Sequence, residues 1–136
     1  MGRAPTGDLK VLVVDDEDLV RQMIARLLRR NGIACEQTAS LEEAVPRIDS
    51  EHFDILITDQ NMPGDSGAEL LTFVNMKSPE TATIMISGEQ DPILSDLTHQ
   101  LGGVAFLSKP FNEEDLMSVI RILLEEKRSR TSGDEG

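Results

Sequence analysis

Short apolar segments rich in β-branched residues recur along this chain, and segments with the apolar spacing of amphipathic helices separate them. The five apolar segments are Leu9–Val14, Ile33–Thr38, Phe53–Thr58, Thr81–Ser87 and Gly103–Ser108. The composition of Leu9–Val14 and Phe53–Thr58 is typical of strands that are buried on both faces of a parallel sheet. This pattern constrains the fold more strongly than any other feature of the sequence.

One helix is predicted after each strand, from apolar stripes and from capping residues at the helix ends. The predicted helices are Glu17–Asn31, Ser40–Ser50, Ala68–Met76, Asp91–Leu101 and Glu113–Lys127. Repetition of the strand–helix unit predicts an α/β protein, with a doubly wound five-stranded parallel sheet that helices cover on both faces.

Apolar side chains in the first and last helices indicate which faces pack on the sheet. In the first helix the predicted core stripe comprises Leu19, Val20, Met23, Ile24, Leu27 and Leu28. In the last helix it comprises Leu116, Val119, Ile120 and Leu123, whereas Met117, Ile122 and Leu124 lie off it. The second helix contains Pro46, which removes a backbone hydrogen bond at a cost of about 3 kcal/mol, so we expect a kink or an irregular helix there.

The composition fits a single domain and excludes several classes of protein. The chain has 136 residues with 13 basic and 25 acidic side chains, which gives a net charge of −12. So acidic a surface repels nucleic-acid phosphates and anionic lipids, and we expect no direct contact with nucleic acid or membrane. The single cysteine, Cys35, cannot form an internal disulfide bond, and we expect it to be a small buried apolar side chain. A cytoplasmic location is therefore expected.

Chemically reactive side chains follow four of the predicted strands. They are Asp15 and Asp16 after the first strand, Asp59 after the third, Ser87 at the end of the fourth and Lys109 after the fifth. Because parallel strands present their carboxyl ends at one edge of the sheet, these side chains are expected to converge. Clustered carboxylates need a neutralising cation, and Mg²⁺ commonly works with one or two carboxylates and a phosphate. The sequence thus predicts a phosphoryl site with Asp59 as the nucleophile.

Each of these residues also has an ordinary structural explanation. An Asp pair after a strand can be a solvated helix start, a single Asp can be an N-cap, and a Lys-Pro pair can be a turn. Their coincidence at one edge of the sheet favours the functional interpretation. Asp54, at the start of the third strand, would lie at the opposite edge, and Asp65 lies in a loop.

Longer motifs connect these single residues. The segment Asp59–Gly67 fits the pattern D-x-x-M-P-x-x-x-G, and Asp15-Asp16 precedes it, while Ile86-Ser87-Gly88 and Ser108-Lys109-Pro110-Phe111 follow it. With these motifs the chain resembles the receiver domain of bacterial two-component response regulators, in particular the single-domain chemotaxis type. The resemblance covers nearly the whole chain and implies the flavodoxin-like strand order 2-1-3-4-5.

The resemblance implies a role for each residue at the strand ends. Asp59 would accept a phosphoryl group from a phosphohistidine on a sensor histidine kinase or a histidine phosphotransfer protein. Asp16, Asp59 and the backbone carbonyl of Asn61 would bind Mg²⁺ or Mn²⁺ directly, and Asp15 would contribute through water. Lys109 would neutralise the phosphoryl oxygens, since positioning and charge dominate phosphoryl transfer.

The resemblance also implies a conformational switch. Ser87 occupies the position of the switch hydroxyl, and Phe106 occupies that of the switch aromatic residue but lacks the hydroxyl group of tyrosine. Asn61 and Glu89 occupy the variable positions that set the rate of self-dephosphorylation.

Signal output is expected through protein contacts. In the family, the face formed by the fourth helix, fifth strand and fifth helix contacts a downstream partner or a second copy; here it comprises Asp91–Leu101, Gly103–Ser108 and Glu113–Lys127. The domain would catalyse its own phosphorylation and dephosphorylation, so it is not expected to be a turnover enzyme. The resemblance further implies a cis Lys109–Pro110 bond.

Several alternatives stay open at the level of sequence. We expect a disordered leader over residues 1–8, a receiver domain over 9–127 and a flexible tail over 128–136, and the receiver can stand alone or belong to a longer regulator or hybrid kinase. A phosphatase of the haloacid dehalogenase type would need D-x-D after the first strand, which Asp16-Glu17-Asp18 provides only formally. In a flavodoxin-like flavin binder, the acidic residues there would repel the flavin phosphate.

Overall fold

The computed structural model describes residues 9–62, 65–87 and 104–135, with side chains described over 9–60, 69–87 and 104–125. Its strands are β1 (Lys10–Val14), β2 (Ala34–Thr38), β3 (Ile55–Asp59), β4 (Asn61–Met62), β5 (Asp65–Ser66), β6 (Ala82–Ser87) and β7 (Val104–Ser108). Its helices are α1 (Asp18–Arg30), α2 (Leu41–Ser50), α3 (Gly67–Lys77) and α4 (Glu113–Glu135). The predicted helix Asp91–Leu101 lies outside the described residues.

Five strands form one parallel sheet in the order β2-β1-β3-β6-β7. This order confirms the predicted 2-1-3-4-5 arrangement. The register places Val14 opposite both Thr38 and Thr58, and Asp59 opposite Ile86, so the carboxyl ends of these strands lie side by side. The sequence did not predict β4 and β5, which form a small antiparallel pair directly after β3.

Apolar side chains of the central strands point alternately to the two faces of the sheet. Val11 and Val13 of β1 lie in a core cluster with α1 and α4, whereas Leu12 and Val14 pack with side chains of α2 and α3. Each fully buried aliphatic side chain of this kind contributes about 1.5–3 kcal/mol to folding. The two clusters hold helices on both faces, as expected for a doubly wound sheet.

The first helix turns a narrower apolar face to the sheet than the sequence predicts. Ile24 and Leu28 are fully buried, but Leu19 is 82% exposed and Met23 is 41% exposed. Leu19 and Met23 are four residues apart, which places them on the same side of the helix. Since that side faces away from the sheet, the prediction that both belong to the core stripe is wrong.

A glycine stop ends α1 where the sequence predicts it. Gly32 has a φ of +76°, and its amide donates a hydrogen bond to the carbonyl of Arg29 at 3.0 Å. The Ile33 amide donates to the carbonyl of Leu28, also at 3.0 Å. Glycine adopts this left-handed conformation without strain and so satisfies the last carbonyls of the helix.

The second helix continues through Pro46 as one element. The proline therefore does not interrupt the helix, whereas the predicted kink stays a prediction. Ser40 Oγ accepts a hydrogen bond from the amide of Glu43 at 3.1 Å, which confirms the predicted N-cap. At the other end, Arg47 forms an ion pair with Glu36 of β2. Contacts on both sides of Pro46 thus stabilise the helix across the missing hydrogen bond.

The last helix begins as predicted but ends later. Asn112 Oδ1 accepts a hydrogen bond from the amide of Asp115 at 2.8 Å, which is an N-cap contact. The helix then runs to Glu135, so the predicted end at Lys127 is wrong. No proline follows Lys127, so the sequence contains no residue that must end the helix there.

Two sulfur-containing side chains differ in burial from their predicted places. Met117 is 8% exposed and belongs to the core, so its predicted place outside the stripe is wrong. Cys35 is half-buried and packs against the same core cluster. Burial raises the pKa of the Cys35 thiol, an effect that neighbouring Arg29 opposes.

Across the described part of the chain, none of the helices combines the length and the apolar character that crossing a membrane requires.

Candidate functional site

The candidate site lies at the carboxyl edge of the sheet. Asp15 follows β1, Asp59 ends β3, Ser87 ends β6 and Lys109 follows β7. Backbone hydrogen bonds between neighbouring strands continue past the strand ends. The Asp15 amide donates to the backbone carbonyl of Thr38 at 3.2 Å, and the Lys109 amide donates to the backbone carbonyl of Ser87 at 2.9 Å. The sheet register therefore fixes the positions of these candidate site residues.

Asp15 is a buried carboxylate with one open acceptor atom. The residue is 0% exposed, and its Oδ1 accepts a hydrogen bond from the Glu17 amide at 2.9 Å. Its Oδ2 is buried and has no hydrogen-bond partner among the described residues. Burial and, to a smaller extent, the charge of Asp59 raise the pKa of Asp15 to about 6, although the hydrogen bond from the Glu17 amide works to lower it. Such an acceptor suits a positively charged ligand.

Lys109 brings positive charge to two carboxylates. Its Nζ lies 3.5 Å from Asp59 Oδ2 and 3.5 Å from Glu17 Oε1. Burial works to lower the pKa of Lys109, but the negative charges of Asp59, Asp15 and Glu17 outweigh burial and raise that pKa above its usual value. Asp59 itself is 5% exposed. Lys109 is therefore held protonated beside the predicted nucleophile.

Three carboxylates are close enough to share one cation. Among the described residues, Asp15, Glu17 and Asp59 each offer an oxygen, and these atoms all lie within 4.8 Å of one another. Hard cations such as Mg²⁺ and Mn²⁺ take oxygen ligands of this kind. The donor set and the open Asp15 oxygen fit a divalent cation.

The structure separates the two members of the Asp pair. Asp15 faces the site, whereas Asp16 is exposed and does not belong to the group of three carboxylates. Glu17 is not among the site residues predicted from the sequence. Its only signal was its place directly after the pair, in a loop whose conformation no periodic pattern predicts.

The remaining predicted residues lie beside this cluster or outside the described part. Ser87 is 7% exposed, and Phe106 is half-buried on the adjacent strand, opposite Met85 in the register. Asn61 begins β4, which fixes its backbone next to Asp59. Glu89 lies outside the described residues. The Lys109–Pro110 bond is cis, as expected.

The site brings together a carboxylate, a lysine and three oxygen donors that fit a divalent cation, which are the groups that phosphoryl transfer to a carboxylate requires. Asp59 can act as an oxygen nucleophile, and Lys109 can neutralise charge on a bound anion.

Relatives of known type share this fold and sequence pattern. The chain is 37% identical over 120 residues to the transcriptional regulatory protein FixJ of Azorhizobium caulinodans, covering 85% of this chain and 55% of FixJ. It is 27% identical to the DNA-binding transcriptional regulator NtrC of Proteus hauseri, covering 81% of this chain but only 23% of NtrC. The chain thus spans about half, or less, of the length of these curated relatives.

A solved structure of similar size matches more completely. The chemotaxis protein CheY4 of Vibrio cholerae is 33% identical with a TM-score of 0.78, covering 85% of this chain and 98% of that one. The family model of the response regulator receiver domain matches residues 11–121. These matches exclude the dehalogenase-type phosphatase and the flavin binder. The chain belongs to the response regulator receiver domain family.

Proposed function

We propose that this receiver domain accepts a phosphoryl group on Asp59 from a phosphohistidine of a sensor histidine kinase or a histidine phosphotransfer protein. The observation that carries the proposal is the 3.5 Å approach of Lys109 Nζ to Asp59 Oδ2, beside the open buried oxygen of Asp15. In the transfer, a carboxylate oxygen of Asp59 bonds to phosphorus. The bond between phosphorus and the imidazole nitrogen breaks, and its electron pair stays with the imidazole.

The position of Asp59 favours it over the other aspartate of the same strand region. Asp59 ends β3 at the edge that carries Asp15 and Lys109. Asp54 precedes β3 at the opposite edge, where its Oδ2 accepts a hydrogen bond from the Lys10 amide at 3.0 Å. Asp54 therefore has a structural role and lies away from the other site residues.

A divalent cation, Mg²⁺ or Mn²⁺, would be held by Asp15, Asp16, Asp59 and the backbone carbonyl of Asn61. When bound, it would neutralise charge on the phosphoryl oxygens and orient them. Asp15 contributes a buried oxygen, and the exposed Asp16 would need to turn toward the cluster. Lys109 would contact the phosphoryl group from the other side, since its Nζ already lies beside Asp59. Positioning and charge are what phosphoryl transfer chiefly requires.

Phosphorylation would act on the β6–β7 side of the site. The Ser87 hydroxyl would move toward the phosphoryl oxygens, and the ring of Phe106 would fill the space that it leaves. Their neighbouring strands support this coupling, because β6 pairs with β7 along the whole of β7. A ligand shifts such an equilibrium only by its different affinity for the two states. The shifted face would bind a downstream protein or a second copy of the chain.

An exposed apolar pair suggests where the phosphodonor docks. Leu19 and Met23 project from α1 at 82% and 41% exposure, and the helix begins directly after the acidic loop of the site. A helix of the histidine-bearing partner could cover both side chains and bring its phosphohistidine to Asp59. The apolar surface thus supports a protein phosphodonor over a free small metabolite.

The output of the domain depends on its surroundings. At a net charge of −12, the receiver itself is unsuited to nucleic acid, and we propose a cytoplasmic regulator that acts through protein contacts and is not a turnover enzyme. Since FixJ is named a transcriptional regulatory protein and the chain covers 55% of it, the alternative output is a separate DNA-binding domain of a longer regulator. Asn61 and Glu89 would set how long the phosphoryl group survives.

The test is phosphorylation by acetyl phosphate with Mg²⁺, followed by intact-mass analysis. We expect one added phosphoryl group on the wild-type chain and on the control Asp54→Asn, and none on Asp59→Asn. Circular dichroism checks that both variants are folded. Uptake by Asp59→Asn at the wild-type rate would contradict the assignment.

A further inference from the structure

Glu17 belongs to the site although no motif assigns it. It is the N-cap residue of α1, and its amide donates a hydrogen bond to Asp15 Oδ1 at 2.9 Å. This bond closes the turn after β1 and brings the Glu17 carboxylate to 3.5 Å from Lys109 Nζ. Glu17 therefore contacts the lysine that the proposed function reserves for the phosphoryl group.

The same carboxylate lies within reach of a cation. One oxygen of Glu17 lies within 4.8 Å of oxygens of both Asp15 and Asp59. Ligand oxygens of an octahedral Mg²⁺ lie about 3.0 Å apart when adjacent and about 4.2 Å apart when opposite, so the three atoms must move closer together by up to about 1.8 Å to share one ion. The buried Asp15 Oδ2 has no partner among the described residues and is an independent indication that this position suits a positively charged ligand.

We propose that Glu17 is a further carboxylate ligand of the divalent-cation site, and that it exchanges Lys109 for the cation when the cation binds. This inference rests on the proposed function, because it assigns a residue to that function's cation. The side chain of Glu17 is 58% exposed, and ion pairs so open to solvent are weak. A divalent cation can therefore take Glu17 from Lys109.

Exchange of partners couples the cation to the incoming anion. While Glu17 contacts Lys109, the two acids Glu17 and Asp59 share one ammonium group. Once Glu17 turns to the cation, Lys109 is free to contact a phosphoryl group on Asp59. By thermodynamic linkage, a bound anion then raises the affinity for the cation by the same factor as the bound cation raises the affinity for the anion.

The test measures binding of Mn²⁺ alone, by the electron paramagnetic resonance signal of the free ion. Glu17→Gln should weaken Mn²⁺ binding by roughly tenfold or more, as the loss of metal-site groups commonly does. The matched control is Asp18→Asn, which removes one negative charge at the next position of the chain. The carboxylate of Asp18 is paired with Arg21. This control should change binding by less than about threefold, because solvent screens exposed charges.

A double-mutant cycle tests the exchange itself. Lys109→Gln should tighten Mn²⁺ binding in the wild-type background by removing the competitor for Glu17, and should tighten it clearly less in the Glu17→Gln background. Equal gains in both backgrounds would overturn the exchange. Mn²⁺ binding by Glu17→Gln within the range of Asp18→Asn would overturn the ligand assignment.

These readouts do not depend on phosphorylation. If Asp59 fails to accept phosphate while Glu17→Gln binds Mn²⁺ weakly, the proposed function fails and the ligand assignment stands. If Asp59 is phosphorylated while Glu17→Gln binds Mn²⁺ as the control does, only the inference about Glu17 fails. Thermal melts without metal confirm that each variant is folded.

Discussion

Arg21 ties the first turn of α1 to the end of β1 through Asp15. Its Nη1 donates a hydrogen bond to the backbone carbonyl of Asp15 at 2.7 Å, and its Nη2 lies 2.6 Å from Asp18 Oδ1. The Arg21 side chain is 13% exposed. This contact fixes the loop that presents Asp15 and Glu17 to the site.

Arg21→Met should lower the free energy of unfolding by about 1.5–3 kcal/mol, because a charged hydrogen bond to a backbone carbonyl is lost. Urea unfolding without metal measures the change. The control is Arg26→Met, on the exposed side of the same helix, which should stay within about 0.5 kcal/mol of wild type. Equal losses in the two variants would show that the Arg21 contact is not specific.

The raised pKa of Asp15 predicts a pH dependence of stability. Burial raises it from 3.8 to about 6 in the folded protein, so the folded state binds this proton more tightly than the unfolded state. The contribution of Asp15 to stability is therefore fully present below pH 3.8 and is lost as the pH rises toward about 6.

Asp15→Asn should consequently be more stable than wild type at pH 7.5, by about 1–3 kcal/mol in the presence of EDTA, and the gap should shrink at pH 4.5. Urea unfolding at both pH values measures this difference. A gap that is the same at the two pH values, or larger at pH 4.5, would contradict the assignment.

Pro46 interrupts the hydrogen bonding of α2 at an exposed position. Pro46→Ala should restore a backbone hydrogen bond, which raises the free energy of unfolding by about 1–3 kcal/mol. Loss of the proline also makes the unfolded chain more flexible, which lowers the free energy of unfolding by roughly 0.4–1 kcal/mol and offsets part of the gain. Thermal or urea unfolding tests this. A loss of stability would show that α2 has adjusted to proline.

The fold and the strand-end residues could be predicted because they follow from buried runs and from the geometry of parallel strands. Asp59 could be separated from Asp54 by its end of the strand alone. Glu17 could not be found, because its position depends on the Asp15 hydrogen bond rather than on any period. Leu19 has the spacing of a core residue, yet α1 turns it outward. A single sequence carries no signal for such small rotations.

The lifetime of the phosphoryl group should be short. Asn61 and Glu89 are polar, so neither would cover an acyl phosphate on Asp59 with an apolar lid, and both can orient water. Replacing both by leucine should slow the loss of phosphate by roughly tenfold, which corresponds to about 1.4 kcal/mol of barrier. Phosphate release from purified phosphoprotein measures the rate. A wild-type half-life of many hours, or no slowing in the double variant, would contradict this role.

Ser87 and Phe106 should move together when an anion binds at Asp59. The chain contains no Trp or Tyr, so Phe106→Trp introduces a single fluorophore on β7. Adding beryllofluoride and Mg²⁺ should shift its emission to the blue, because the half-buried ring moves into the space that Ser87 vacates. In a Ser87→Ala background the anion should still bind, but the shift should be largely lost, since no hydroxyl is drawn to it. Emission that does not change in either background would show that the two residues are not coupled.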